Sequence, residues 1–254
     1  MTGPAVVKIL VTCEHATNRV PPEFFRWLDS PGARADLRSH RGYDPGADEA
    51  SRELAGRLKC HRIVGQQSRL LIDLNRSLGH QELFSKYTVG LDPAIKERVV
   101  ADYYEPYRQQ VRQWIVDQPK GCPVLHLSVH TFTPRYRGKH RQVDVGLLYD
   151  PKREAERQLC QDWARRFRRQ QRQLCVRMNQ PYRGIDDGFT TCLRQLDSSP
   201  QYAGVEIEIN HRFFKNNASR FLSIVRSLAD SLRAIPSMPW AGATPPVAVS
   251  TQPH

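Results

Sequence analysis

The chain has 254 residues, 39% hydrophobic and 25% charged, with a formal net charge of +12. Such a composition excludes a disordered or fibrous chain and gives enough material for one α/β domain with a sizeable core. The positive balance leaves two partner classes open, nucleic acid and small anionic molecules.

The six cysteines are scattered, with no C-x-x-C pair, which argues against a cysteine zinc cage and a disulfide framework. No secretory leader is legible, because the apolar run VVKILV is short, contains Lys8 and runs into polar residues. No stretch approaches the ~18–20 apolar residues of a membrane span. The expectation is a soluble cytoplasmic protein without a membrane partner.

Ala5–Thr12 reads as an apolar, β-branched strand that ends in Cys13-Glu14-His15, and Pro21-Pro22 blocks its continuation. Ser39–Ala47, SHRGYDPGA, is a loop carrying His40, Arg41 and Asp44. Asp44 can also be read as a cap of the helix that follows, Ala47–Cys60, whose Ala50, Leu54, Ala55 and Leu58 share a face. Arg62–Val64 and Leu70–Leu74 are expected as short strands. At the end of the second stands Asp73-Leu74-Asn75-Arg76, where Arg76 presents a planar fork suited to a carboxylate and Asn75 an amide donor. The bland alternative is a strand end closed by an Asp–Arg salt bridge.

Ser77–Gly90 is a polar connection placed to form a rim or lid. Pro93–Gln118 is a long helix that Pro106 should kink or split, with Tyr103, Tyr107 and Trp114 on its core face. In Pro123–Phe132 strict alternation puts Val124, His126, Ser128 and His130 on one side. Asp144–Asp150 is the next strand, and Arg153–Cys175 the basic helix after it. Val176–Met178 leads to the irregular loop Asn179–Gly188, which holds Arg183. Ala203–Asn210 alternates Val205, Ile207 and Ile209 with Glu206, Glu208 and Asn210; acids on a covered sheet would need charged partners or a metal. Ser219–Ile235 closes the domain, and residues 236–254 form a Pro- and Ala-rich tail.

Alternating strands and helices predict a single α/β domain, residues 1–235, with a mixed, mainly parallel sheet and helices on both faces. Its polar residues gather at strand ends. A hydrolytic zinc site needs three His or carboxylate ligands, an open position, and a carboxylate to move a proton. His15, Asp44 and His130 are the candidate ligands and Glu208 the candidate base, with Asn75 and Arg76 on a substrate carboxylate.

The segments CEHATN, SHRGYDPGA, SRLLIDLNRS, HTF, NQPYRGIDDG and GVEIEINHR, in that order, resemble the N-formylglutamate amidohydrolase family from about Val7 to Phe214. That family looks related to the zinc carboxypeptidases and the deacylases of N-acyl amino acids. The resemblance implies the carboxypeptidase-like fold, one Zn2+ per chain, and hydrolysis of a small anionic N-acyl amino acid such as N-formyl-L-glutamate. It maps the zinc histidines onto His15 and His130, the carboxylate anchor onto Asn75 and Arg76, and the catalytic acid onto Glu208, with Glu206 as the other choice. The chain departs from the carboxypeptidases at Asn18, where they carry a ligating Glu. The family pattern puts the acid at Asp44, and Glu14 is its rival. Arg183, in a glycine-flanked loop, is a further candidate anion contact, and Arg69 and Arg41 also recur in the pattern. Other readings are a related zinc amidase or carboxypeptidase with a different substrate, and nucleic-acid binding through the Arg165–Arg172 surface.

Overall fold

The computed structural model describes residues 7–196 and 201–235; the tail expected at 236–254 lies outside the described residues. In chain order the elements are β1 (Lys8–Cys13), α1 (Phe25–Leu28), α2 (Pro31–Leu37), α3 (Ala47–Leu58), β2 (His61–Val64), α4 (Pro93–Val99) and α5 (Glu105–Val116). They continue with β3 (Val124–Phe132), the hairpin strands β4 (Arg135–Tyr136) and β5 (Lys139–His140), β6 (Val145–Leu148), α6 (Glu154–Gln170), β7 (Val176–Met178), α7 (Phe189–Leu196), β8 (Tyr202–Asn210), α8 (Arg212–Asn216) and α9 (Ala218–Arg233).

Six strands form one sheet in the order β2-β1-β3-β8-β6-β7. All neighbours are parallel except β6 and β8, so the sheet is mixed and mainly parallel as the sequence predicts. Period-two alternation sorts the central strands. Leu125, Leu127 and Val129 of β3 and Val205, Ile207 and Ile209 of β8 join the core that α3, α6 and α9 cover. His126, Ser128 and His130 face the other side, where α5, α7 and the loops between β2 and β3 pack. Acids and imidazoles on that covered face must be paired, and the site is built from those pairs.

One predicted element breaks where a break was expected but a turn earlier, and another is not formed. The long helix expected over Pro93–Gln118 is two helices joined by a wider turn at Val100–Tyr104. Pro106 stands at the start of α5, where its missing N–H costs little. The stretch Leu70–Leu74 is not a strand. Leu70, Leu71, Ile72 and Leu74 are buried, which accounts for the apolar run, but they lie in a folded loop. Its backbone groups find local partners in place of a ladder. Asp73 N–H donates to Leu83 O at 2.9 Å, and Ser85 Oγ donates to Leu70 O at 2.6 Å. Thr88 Oγ1 lies 3.1 Å from both Leu70 O and Leu71 O. The segment expected as a rim, Ser77–Gly90, therefore caps this buried loop, and its Glu82 reaches the pocket.

Candidate active site

The C-terminal ends of β1, β3 and β8 meet the loop before α3 and the loop of Asp73–Arg76 around a pocket of about 400 Å³. In a largely parallel sheet this is where strand ends deliver side chains to a crevice. His15 leaves the end of β1. Its carbonyl accepts the N–H of Asp44 at 3.0 Å, so the loop before α3 is tied to β1 at the residue that matters. Gly65 permits the neighbouring approach: a Cβ there would lie 2.3 Å from the carbonyl oxygen of Glu14.

Asp44 Oδ2 lies 3.3 Å from His15 Nδ1 and 2.9 Å from His130 Nδ1. The ligand atoms of these three buried residues all fall within 4.8 Å of one another. Each imidazole is held from behind. His15 Nε2 lies 2.7 Å from Asp73 Oδ1. His130 Nε2 lies 2.9 Å from Ser128 Oγ and 3.1 Å from Glu14 Oε2. Glu14 is itself fixed by donation from Ser128 Oγ at 2.6 Å and from the Tyr107 hydroxyl at 2.7 Å. Glu14, weighed as a ligand from sequence, thus stands behind His130. Asn18 is not among the residues that line the pocket.

Burial alone would raise the Asp44 and Glu14 carboxyls, but their imidazole and hydrogen-bond partners outweigh it and hold both well below the usual carboxylate range. For Asp73 burial is likewise outweighed, by Arg69 and His15. Arg69 lies 2.8 Å from Asp73 Oδ2 and 3.3 Å from Asp44 Oδ1. The salt bridge of the SRLLIDLNRS stretch is therefore Asp73 with Arg69; Arg76 points elsewhere.

Glu208 pairs with His130 in the β3–β8 register and lines the same pocket. Its pKa is pushed up to about 8, first by burial and then by Asp44 and Glu206, against His130 and Arg141. Among the described residues its Oε2 has no hydrogen-bond partner. Glu206, at the level of Ser128, accepts from Thr190 Oγ1 at 2.7 Å. His126, the other histidine on this face of β3, is a satisfied core residue. Thr12 Oγ1 and the Tyr202 hydroxyl each lie 2.8 Å from a ring nitrogen, and burial pushes its pKa down to about 4.

The pocket's other side carries Asn75 and Arg76. Asn75 Oδ1 accepts the N–H of Phe189 at 2.7 Å, and Arg76 Nη1 donates to Asp187 O. Asp187 also takes both the N–H and the hydroxyl of Ser77, so the loop before α7 is docked onto the Asn75–Arg76 turn. Arg76 is the pocket arginine without a close acid among the described residues; its nearest carboxylate, Glu82, is 3.9 Å away. Arg183 lines the mouth, 71% exposed, with its guanidinium on Asp186 at 2.8 Å. His40 and Arg41 line the pocket as well, Arg41 tied to Asp36.

The donor set suits a divalent ion with nitrogen and oxygen preferences. Two imidazole nitrogens and a carboxylate oxygen lie within 4.8 Å of one another, and outer carboxylates orient both rings. Of the four buried carboxyls here, Arg69 pairs with Asp73 and Asp44, while Glu14 and Glu208 have no guanidinium at ion-pair distance among the described residues.

The family model described as N-formylglutamate amidohydrolase matches residues 7–214. A solved gene product of Agrobacterium tumefaciens is 25% identical, with a TM-score of 0.75 over 90% of this chain and 91% of that one. N-formylglutamate amidohydrolase from Ralstonia eutropha shares the fold at 19% identity, with a TM-score of 0.65 over 91% of this chain and 93% of that one. No curated protein shows significant sequence similarity to the chain.

Proposed function

The chain belongs to the N-formylglutamate amidohydrolase family and is an amide-cleaving hydrolase, and from that premise we propose that it hydrolyses N-acyl amino acids, with N-formyl-L-glutamate giving formate and L-glutamate. His15 Nδ1, His130 Nδ1 and Asp44 Oδ2 would hold one Zn2+ per chain. Bound there, the ion would supply Lewis acidity, polarising the acyl oxygen and making water a better nucleophile.

The chain's own groups do the rest. Glu208 accepts a proton from the attacking water and delivers it to the amide nitrogen, so that the C–N bond breaks as the new C–O bond is kept in formate. Burial on its own raises the Glu208 carboxyl, and a divalent ion at the three ligands would draw it back toward the ionised form that accepts the proton. Asn75 and Arg76 grip the α-carboxylate, and Arg183 offers a contact to the anion at the pocket mouth. Asp73, Glu14 and Ser128 keep the two rings turned so that both Nδ1 atoms face the same point.

The observation that carries the reading is the meeting of two imidazole nitrogens and a carboxylate oxygen beside a buried carboxyl with a partnerless oxygen. The test is release of formate and glutamate from N-formyl-L-glutamate, set beside N-acetyl and N-succinyl amino acids, before and after chelation and with Zn2+ restored. Hydrolysis that is strongest on the N-formyl compound, lost on chelation and regained with Zn2+ supports the reading. Turnover untouched by chelation, or confined to another acyl group, contradicts it.

A further inference from the structure

An N-acylated dicarboxylic amino acid brings two anions to the pocket, and Arg76 accounts for one. Three other arginines line the pocket, and each is already engaged by acid. Arg41 is on Asp36 at 2.8 Å, Arg69 is on Asp73 and Asp44, and Arg183 is on Asp186.

Arg141 differs from all three. It follows the β4–β5 hairpin, whose two-residue turn has positive φ at Arg137 (47°) and Gly138 (79°), the geometry that suits a tight antiparallel hairpin. The N–H of Arg141 closes the hairpin base on Pro134 O at 2.9 Å. Its guanidinium carbon lies 5.4, 4.9 and 5.0 Å from the ring centroids of Phe132, Tyr136 and Tyr182. All three of those residues line the catalytic pocket. Its guanidinium donates a hydrogen bond from Nη1 to Thr133 O at 3.4 Å. No ion pair to a carboxylate forms at Arg141 among the described residues, although its charge is felt at Glu208.

Three aromatic faces hold a guanidinium in place without neutralising it, because a ring quadrupole is a weaker partner than a carboxylate. The result is a positioned cation beside the pocket, in an adjoining cleft that shares Tyr136 and Tyr182 with it, and its guanidinium is not spent on a carboxylate. The exposed Arg135, Arg137 and Lys139 of the same hairpin add positive potential at the approach.

We propose that Arg141 is a specificity-determining residue that receives the side-chain carboxylate of an N-acyl dicarboxylic amino acid, while Arg76 takes the α-carboxylate. This rests on the reading given under "Proposed function" and adds a preference for acidic side chains.

The test compares kcat/KM on N-formyl-L-glutamate with that on N-formyl-L-glutamine, an uncharged near-isostere, in wild-type protein, Arg141→Met, Arg141→Lys and Arg183→Met. The ratio is taken on one preparation, so the active fraction cancels and partial misfolding cannot mimic the effect. The wild type should favour glutamate, and Arg141→Met should collapse the ratio by ~100-fold, the scale of losing one desolvated charge partner. Lysine, a charge without the planar fork, should restore part of it. Isothermal titration with the product L-glutamate against L-glutamine should show the same loss of discrimination in binding. An unchanged ratio in Arg141→Met, or a collapse seen with Arg183→Met instead, overturns the proposal while leaving N-formyl hydrolysis intact. A wild type that hydrolyses neither compound removes the functional reading itself, and this inference with it.

Discussion

Asp44 Oδ2 stands between two imidazole nitrogens because each ring is pinned by an acid on its far side. Such outer carboxylates typically govern metal affinity by 10–100-fold. Asp73→Asn should therefore weaken Zn2+ binding by ~10–100-fold while the three ligands remain, measured by competition with a chromophoric chelator. Glu208→Gln should keep the metal at one per chain and lower kcat by ~10²–10⁴, the usual worth of a positioned proton-transfer group. Retention of both metal and turnover in that variant would remove Glu208 from the base role. Of these residues, His130 and Glu208 were legible in the alternation of β3 and β8, and His15 in its place after β1. Asp73 enters the sequence reading only through the alternative of an Asp–Arg salt bridge closing the strand end. The fold pairs it with Arg69 and His15 because the segment turns where a strand would have run straight.

At the scale of elements, the Leu70–Leu74 loop shows why an apolar run is ambiguous. Burial made the run apolar, while the backbone's partners decided the conformation, and they include the Ser85 and Thr88 side chains from 15 and more residues away. Periodicity carries no record of such bonds. Thr88→Val should cost ~1–3 kcal/mol in chemical denaturation by leaving a buried carbonyl without its donor. A variant as stable as wild type would show that the loop finds another donor. A second element-level link joins α2 to the same connection. Burial would raise Asp36, but hydrogen bonds from Arg41, Lys86 and Tyr87 bring it to about 2. Its folded value lies below its unfolded one of ~3.9, so its contribution is full above that pH and vanishes as pH falls through about 2. Because Arg41 and Lys86 reach it from solvent, the effect should be about 1 kcal/mol. Asp36→Asn should flatten that part of the stability-against-pH curve between pH 4 and 2, followed by urea unfolding.

For the whole molecule, the β-α alternation read from sequence corresponds to the six-stranded sheet and its two covered faces. The order of strands, and so the meeting of residues 15, 44, 130 and 208 at one end, is set by long-range pairing that no local pattern encodes. The basic charge is distributed in a similar way. In α6, Arg157 pairs with Glu154, and Arg165 and Arg166 pair with Asp162, while Leu159, Trp163 and Phe167 bury its other face. Around the pocket, Arg41, Arg69, Arg76 and Arg183 line it, and Arg141 and the β4–β5 hairpin stand beside it in a stretch that carried no motif. Among the described residues no helix is long and apolar enough to cross a membrane.

The most direct measurement is anomalous X-ray diffraction at the zinc edge from crystals of the Zn2+-loaded protein. One strong peak per chain is expected ~2.0–2.2 Å from His15 Nδ1, His130 Nδ1 and a carboxylate oxygen of Asp44, with Glu208 facing it and not ligating. A peak elsewhere, or none at these three residues in crystals of active enzyme, would contradict the metal-dependent account.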